Sequence, residues 1–358
     1  MDTTYILAIN PGSTSTKIAV YNGTSPKFIQ TLRHSTEELE DFAVVTDQFA
    51  FRKNIILEQL ENEEININSI KIVMGRGGLL KPVESGVIEV NQAMLNDLSS
   101  CKYGEHASNL GGMIAHDIAA GIEGARAFIA NPVVVDELCD KARFSGHPLF
   151  PRKSIFHALN QKAVARQHSK SILRKYEDLN LIVVHLGGGI TVGAHKKGRV
   201  IDVNQGLDGD GPFSPERSGT LPVGDLVRMC FSGKYSQKEI MKMIKGEGGI
   251  VAYLKTNSAQ KVSQMAAEGD EKAKLVYDAM AYQVAKEVGA MGSVLSHEID
   301  GILISGGIAY DKYFTNQIIS YVHRMAPVHI YPGEDEMQAL AMNGLRVLRG
   351  EVEVRQYE

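Results

Sequence analysis

A chain of 358 residues with 22% charged and 44% hydrophobic side chains is long enough for two domains, each burying its own core. Its net charge of −4 leaves no broad basic excess with which to meet a nucleic-acid backbone. Cys101, Cys139 and Cys230 are odd in number and scattered, so neither a disulfide framework nor a zinc site is indicated, which fits a reducing compartment. No apolar run approaches the roughly 20 residues that a membrane span needs. Met1-Asp2-Thr3-Thr4 leads directly into a strand pattern with no visible secretory signal, so the expectation is a soluble cytoplasmic protein.

In chain order, residues 5 to 33 read as strand, tight turn and strand, with Asn22-Gly23 as a hairpin signal. Helical patterning covers parts of 35–63. A strand at Ile70–Met74 then ends in Gly75-Arg76-Gly77-Gly78. Residues 107–130 read as a helix with Ile114, Ile118 and Ile122 on one face, followed by a buried strand over 131–138. Ser154–Tyr176 reads as a helix leading into the strand LIVVHL, and 202–222 is a long glycine, proline and acid-rich loop of the kind that is usually functional or disordered. The clearest helix is 271–296, where Val276, Met280, Val284, Val288, Met291 and Leu295 recur at spacings of three or four. A last helix begins near Glu334. The domain boundary is placed near residue 150.

Three segments share one design, in which an apolar strand runs into glycines and small hydroxyl residues: YILAINPGSTSTKIAVYN, LIVVHLGGGITVGAHKKG and GILISGGIAY. Such turns leave amide N–H groups uncovered, and successive uncovered N–H groups form an anion-binding concavity. Superposing Ile6–Lys17 on Ile182–Gly193 is the one internal repeat, and it suggests duplication into two related halves that grip a polyphosphate. No segment has the G-x-x-x-x-G-K-[ST] order of a P-loop. His185-Leu186-Gly187-Gly188-Gly189 runs on into β-branched residues rather than a helix, so the dinucleotide fingerprint fails too. What remains is a strand-turn-strand phosphate grip like that of actin and hexokinase.

The segments INPGSTSTKIA, GRGG, HASNLGG, VVDELCDKARFSG, VVHLGGGITVG, ERSGTLPVGD, ILISGGIAY and EDEMQALA, in this order, resemble the acetate/butyrate kinase family, most closely its butyrate kinases. The resemblance covers nearly the whole chain. It implies an α/β, two-domain actin-like ATPase fold of duplicated ribonuclease H-like halves. The first domain would be 1–150, completed by the C-terminal helix 334–358, and the second, nucleotide-binding domain 151–333. It also implies magnesium-dependent phosphoryl transfer between ATP and a short carboxylic acid, butyrate first. Branched-chain acids, propionate or acetate are alternatives within the fold, and a non-catalytic actin-like nucleotide switch is the alternative of another class. A homo-oligomer, at least a dimer, is expected.

The same resemblance distributes roles. Arg76 and Arg217 would hold the substrate carboxylate and the transferring phosphate, for which a planar fork of donors is suited. His185 would donate a hydrogen bond to the phosphoryl group, and His106 would lie beside the substrate pocket, with His147 and His157 as competing histidines. Asp136, which follows an apolar run, and Glu336 would hold magnesium, Glu334 being the second choice. Asn10 stands where most actin-fold enzymes carry aspartate, so a water-mediated contact to metal or phosphate is expected of it. Ser13, Thr14, Ser15, Thr16 and Lys17 would line the phosphates. Gly187, Gly188 and Gly189 would cradle ATP, and adenosine would lie against Ser305, Gly306 and Gly307. Asp208, Asp210 and Glu216 lack the spacing of a calcium loop and are expected to be solvated loop acids. A carboxylate substrate is already ionised at neutral pH, so the chemistry needs positive charge and positioning rather than a general base.

Overall fold

The near-continuous apolar run Tyr5–Pro11 is buried on both faces, which is what a central strand with helices on both sides of its sheet requires. In the computed structural model, which describes residues 4–358, it is the first of twelve strands among the described residues. They are β1 (Tyr5–Pro11), β2 (Ser15–Asn22), β3 (Ser25–Arg33), β4 (Ile70–Gly75), β5 (Val87–Glu89), β6 (Arg126–Ala130), β7 (Asn180–Leu186), β8 (Ile190–Lys196), β9 (Arg199–Val203), β10 (Gly301–Gly306), β11 (Val328–Pro332) and β12 (Val354–Arg355). The lead-in Met1-Asp2-Thr3 lies outside the described residues.

The chain divides into two compact units. The first comprises residues up to Val135 together with Asp335–Glu358, the second Asp136–Glu334. The first carries a seven-stranded sheet in the order β12-β5-β6-β4-β1-β2-β3, the second a five-stranded sheet in the order β11-β10-β7-β8-β9. The two share a plan: an antiparallel meander of three strands whose first member pairs in parallel with a fourth, which pairs in parallel with a fifth. This repeated α/β topology is the actin-like ATPase fold.

Strand periodicity assigns each face its helix. In the first unit Leu7, Ile9, Ile18 and Val20 pack with Ile56 and Leu60 of the helix Phe49–Asn62 and with Ile114 and Ile118 of the helix Asn109–Ala120. Ile6, on the opposite face, lies against Gly344 of the last helix, Glu336–Leu348, so closely that a Cβ there would stand 2.9 Å from its methyl. In the second unit Ile182, Val184 and Leu186 meet Met280, Val284 and Val288 of the helix Glu271–Val294. Leu181 and Val183 meet Val164 and Ala165 of the helix Ala158–Ser171. Edge strand β3 is largely exposed, as its lysine and glutamine content suits.

Several expectations change. The apolar run 131–138 is not a strand: Asn131 takes a left-handed φ of 41°, Pro132 has no N–H to donate, and only Val135 forms a bridge, to Val83. The strand is instead Arg126–Ala130, and the preceding helix stops at Ala120. The chain leaves the first unit at Val135, ahead of the expected boundary near 150, because residues 137–152 are tied to the second unit. Glu137 accepts from Lys162 Nζ at 2.6 Å and from the Val200 amide, and Arg152 pairs with Asp202 at 2.8 Å. The internal repeat shifts by one residue. β1 ends Asn10-Pro11 and β7 ends His185-Leu186, with four residues (Gly12–Ser15) and three (Gly187–Gly189) between the last paired residues and the partners Thr16 and Ile190. Asn10 therefore corresponds to His185, and no ungapped superposition fits both sides of the turn. No helix among the described residues is long and apolar enough to cross a membrane.

Candidate active site

Asn10 sits at the end of β1 on the face that the last helix covers, and this is why a residue early in the chain meets one near its end. Its Nδ2 donates to Glu336 Oε2 at 2.5 Å. Arg76, carried just past the end of β4, donates from Nη1 to the same Glu336 oxygen at 3.0 Å and to Asn10 Oδ1 at 3.2 Å. These three half-buried or buried groups form one cluster of amide, carboxylate and guanidinium. The glycines around Arg76 are required by close approach: a Cβ on Gly75 would stand 2.2 Å from the Gly111 carbonyl, and one on Gly78 would stand 2.5 Å from Asn109 Oδ1. Buried Asn109 pins this loop by accepting from Leu79 N at 2.8 Å and donating to Gly104 O at 2.9 Å. His106, three residues earlier and exposed, bonds through Nδ1 to Ser108 Oγ at 2.8 Å.

The turn Gly12–Ser15 leaves Ser13 and Thr14 exposed. Lys17 lies opposite Asn10 in the hairpin and so shares its face of the sheet. Thr16 departs from its expected role. It points to the other face and is buried, with its hydroxyl 2.9 Å from His34 Nε2 and 3.0 Å from Arg52 Nη1, so it serves the interior rather than a ligand.

In the second unit His185, at the end of β7, faces the helix Ala158–Ser171. Its Nδ1 lies 2.9 Å from Asn160 Oδ1, which also accepts the Ser305 hydroxyl at 2.8 Å. An amide oxygen can only accept, so His185 Nδ1 carries a hydrogen, and Nε2 is left toward Glu334, 3.4 Å away. His157 stacks on His185 with ring centroids 3.9 Å apart and bonds to Thr191 Oγ1 at 2.9 Å. Ser305 is fully buried in that network, which departs from the expectation that it lines adenosine. Arg217 lies against the glycine turn. A Cβ on Gly189 would stand 1.8 Å from its Nη1, which donates to Gly206 O. Burial holds its pKa below the ordinary guanidinium value. Ser214 Oγ donates to Gly188 O at 2.6 Å and accepts from the Arg217 amide at 3.2 Å, tying loop and turn together.

Gly306 has a φ of 96°, and a Cβ there would meet the Leu186 carbonyl at 2.3 Å. Beyond it Gly307 and Tyr310 line a cavity of about 760 Å³ with Ser258, Gln264, Tyr277 and Asp311. Asp136 accepts from Arg143 at 2.6 Å and from the Leu138 amide at 3.1 Å, so both carboxylate oxygens have partners. Asp208 and Asp210 are engaged within their own loop: Asp208 with Gln205, and Asp210 with the Gln205 amide. Among the described residues, no three His, Cys, Asp or Glu side chains are grouped to hold a metal ion. The oxygen donors of Asn10 and Glu336 are of the hard type that suits magnesium, which needs few protein ligands. Sequence reasoning missed Arg52, Asn109 and Asn160, and named His157 only as a competitor of His185.

The Acetokinase family model matches residues 147–329. Butyrate kinase 2 of Clostridium acetobutylicum is 57% identical over 99% of this chain and 99% of its own length, and butyrate kinase 1 of the same organism is 56% identical over the same shares. The crystal structure of Porphyromonas gingivalis acetate kinase aligns with a TM-score of 0.78, covering 96% of this chain and 100% of that one at 17% identity. With full-length relatives of this kind, the chain belongs to the acetokinase family.

Proposed function

We propose that this chain is a butyrate kinase, transferring phosphate reversibly between ATP and butyrate to give butyryl phosphate and ADP. The observation that carries this reading is the 57% identity to a butyrate kinase over 99% of both chains. The site chemistry supports it. The nucleophile, a carboxylate, arrives ionised, so its approach to a polyanion is the barrier, and guanidinium groups lower it. Arg76 and Arg217 take that role, holding the carboxylate and the transferring phosphoryl group. His185, oriented by Asn160 through Nδ1, can donate to the phosphoryl group from Nε2 as the imidazolium. The amides of Gly188 and Gly189 in one turn and of Ser13 and Thr14 in the other cradle phosphates, Lys17 adds one positive charge, and His106 borders the acid. Adenosine occupies the cavity beside Gly306 and Gly307. Magnesium, held by Asn10 and Glu336, would neutralise phosphate charge.

Exposed Val223, Val227 and Leu275 belong to helices that line an apolar cavity of about 710 Å³. They support a homo-oligomer, because exposed apolar side chains beside an apolar groove are a common place of association. Three unpaired cysteines suit a cytoplasmic setting. The test is acyl-phosphate trapping with hydroxylamine, supplying Mg-ATP and acetate, propionate, butyrate, isobutyrate, isovalerate or valerate separately. The expected hydroxamate yield peaks at butyrate. A methylene is worth only about 1–3 kcal/mol, so neighbouring acids should also react. A flat panel with intact ATP binding would overturn the reading in favour of a nucleotide switch.

A further inference from the structure

Arg52 is the largest fully buried side chain among the described residues, and no carboxylate pairs with it there. It sits on the same stripe of the helix Phe49–Asn62 as core residues Ile56 and Leu60. A guanidinium in that position is costly unless every N–H is satisfied. All of them are. Nη1 donates to the carbonyls of Gly12 at 2.8 Å and Ser15 at 3.0 Å and to Thr16 Oγ1 at 3.0 Å. Nη2 donates to the Ser13 carbonyl at 3.0 Å and to Gln48 Oε1 at 2.8 Å, and Nε donates to the same Gln48 oxygen at 3.0 Å. The remaining turn carbonyl, that of Thr14, accepts from the His34 amide at 2.9 Å.

The consequence lies on the other side of the peptide planes. A trans peptide points its C=O and N–H in opposite directions. Drawing the Gly12 and Ser13 carbonyls inward onto Arg52 therefore turns the N–H groups of Ser13 and Thr14 outward. Neither N–H finds an acceptor among the described residues, and both residues are exposed. Two successive outward N–H groups with a cation behind them make an anion-binding nest. A hydrophobic side chain would fill the same volume without fixing a single carbonyl, and a lysine would offer three donors and no plane.

We propose that Arg52 is a positioning residue for phosphoryl transfer: it sets the Gly12–Ser15 turn so that the Ser13 and Thr14 amides receive phosphoryl oxygens of the nucleotide. This rests on the reading of the chain as an ATP-dependent kinase. It predicts a defect specific to the phosphates. Arg52→Met should lower affinity for ATP about tenfold or more while affinity for adenosine is kept, so the ATP-to-adenosine ratio falls by that factor. KM for ATP should rise with it and KM for butyrate should stay within twofold. Arg52→Lys should recover only part of the loss. Should Arg52→Met fail to fold, Gln48→Ala, which keeps the cation but frees its plane, is measured in its place, with a smaller fall of the same ratio expected. An unchanged ratio in the folded variant, or equal losses for ATP and adenosine, would overturn the proposal. The wild-type assay separates the two failures. A wild type without acid-dependent turnover overturns the kinase reading, whereas an active wild type with an unmoved ratio overturns only the role of Arg52.

Discussion

The two phosphate-type turns occupy equivalent places in their sheets and share a closing backbone bond, but differ in what supports them. Gly12–Ser15 is rich in hydroxyls, and its carbonyls are drawn inward by a buried cation, Arg52, with help from the His34 amide. Gly187–Gly189 has no side chains at all. Both turns close on themselves, through Gly12 N to Ser15 O at 2.7 Å and Gly187 N to Gly189 O at 3.1 Å, but across the second lies Arg217, where any Cβ on Gly189 would stand. Where side chains are present, the direction of the peptides has to be imposed from behind. Where they are absent, the backbone is permissive, and the vacated space admits the Arg217 guanidinium.

Substitutions that exchange these means should therefore act unequally. The largest effect is expected from Gly189→Ala, whose Cβ would stand 1.8 Å from Arg217 Nη1 and must displace the flexible guanidinium. Its kcat should fall about 10²–10³-fold, as for loss of a transition-state donor, with the fold retained. The double variant with Arg217→Ala should be no worse than either alone, because both remove one interaction. Ser13→Ala in the first turn should cost less than threefold, and an equal loss there would break the contrast. Next comes Gly306→Ala, which meets the backbone of Leu186 at 2.3 Å at a φ of 96°. Backbone cannot give way as a side chain can, so about 3 kcal/mol of stability should be lost in denaturant unfolding.

A smaller effect concerns the loop that carries Arg217. Arg152 binds Asp202 and Asp210 beneath it, beside Glu287, whose pKa burial and then Asp210 push up to about 7. The folded value lies above the ordinary 4.5, so folding favours the protonated acid. The stability this group contributes is fully present below pH 4.5 and is lost as pH rises to about 7. Glu287→Gln should be more stable than wild type above pH 7 by about 2 kcal/mol, with the difference shrinking toward pH 4.5. A pH-independent difference would contradict the assignment. The smallest effect is Ser305→Ala, which removes one of two donors to Asn160 Oδ1 and should lower kcat a few-fold, at a stability cost of about 1 kcal/mol.

Much of this was legible because turn chemistry is local. Glycine-rich ends of apolar strands, Arg76 among glycines and Glu336 at the head of the last helix are sequence features with a stated physical use. What escaped depended on direction. Thr16 and Ser305 look like ligand hydroxyls, yet each is an even number of residues from core positions, Ile18 and Val20 or Leu303, and so turns inward. Arg52 shares a helix stripe with Ile56 and Leu60, a placement that would have marked it as interior, but arginine at that spacing is normally solvated. The run 131–138 had strand composition and lost its strand to a proline and one left-handed asparagine. The unit boundary was hidden because the ties of residues 137–152 are to partners distant in sequence.

The most direct test of the central claim, that two arginines supply the charge for carboxylate phosphorylation, is the rate of butyryl hydroxamate formation in wild type, Arg76→Ala and Arg217→Ala, with folding matched by circular dichroism. Both variants should lose at least about 10²-fold in kcat while still binding ATP. If either turned over butyrate within threefold of wild type, that arginine would have no part in the transfer, and the assignment of the site would fall.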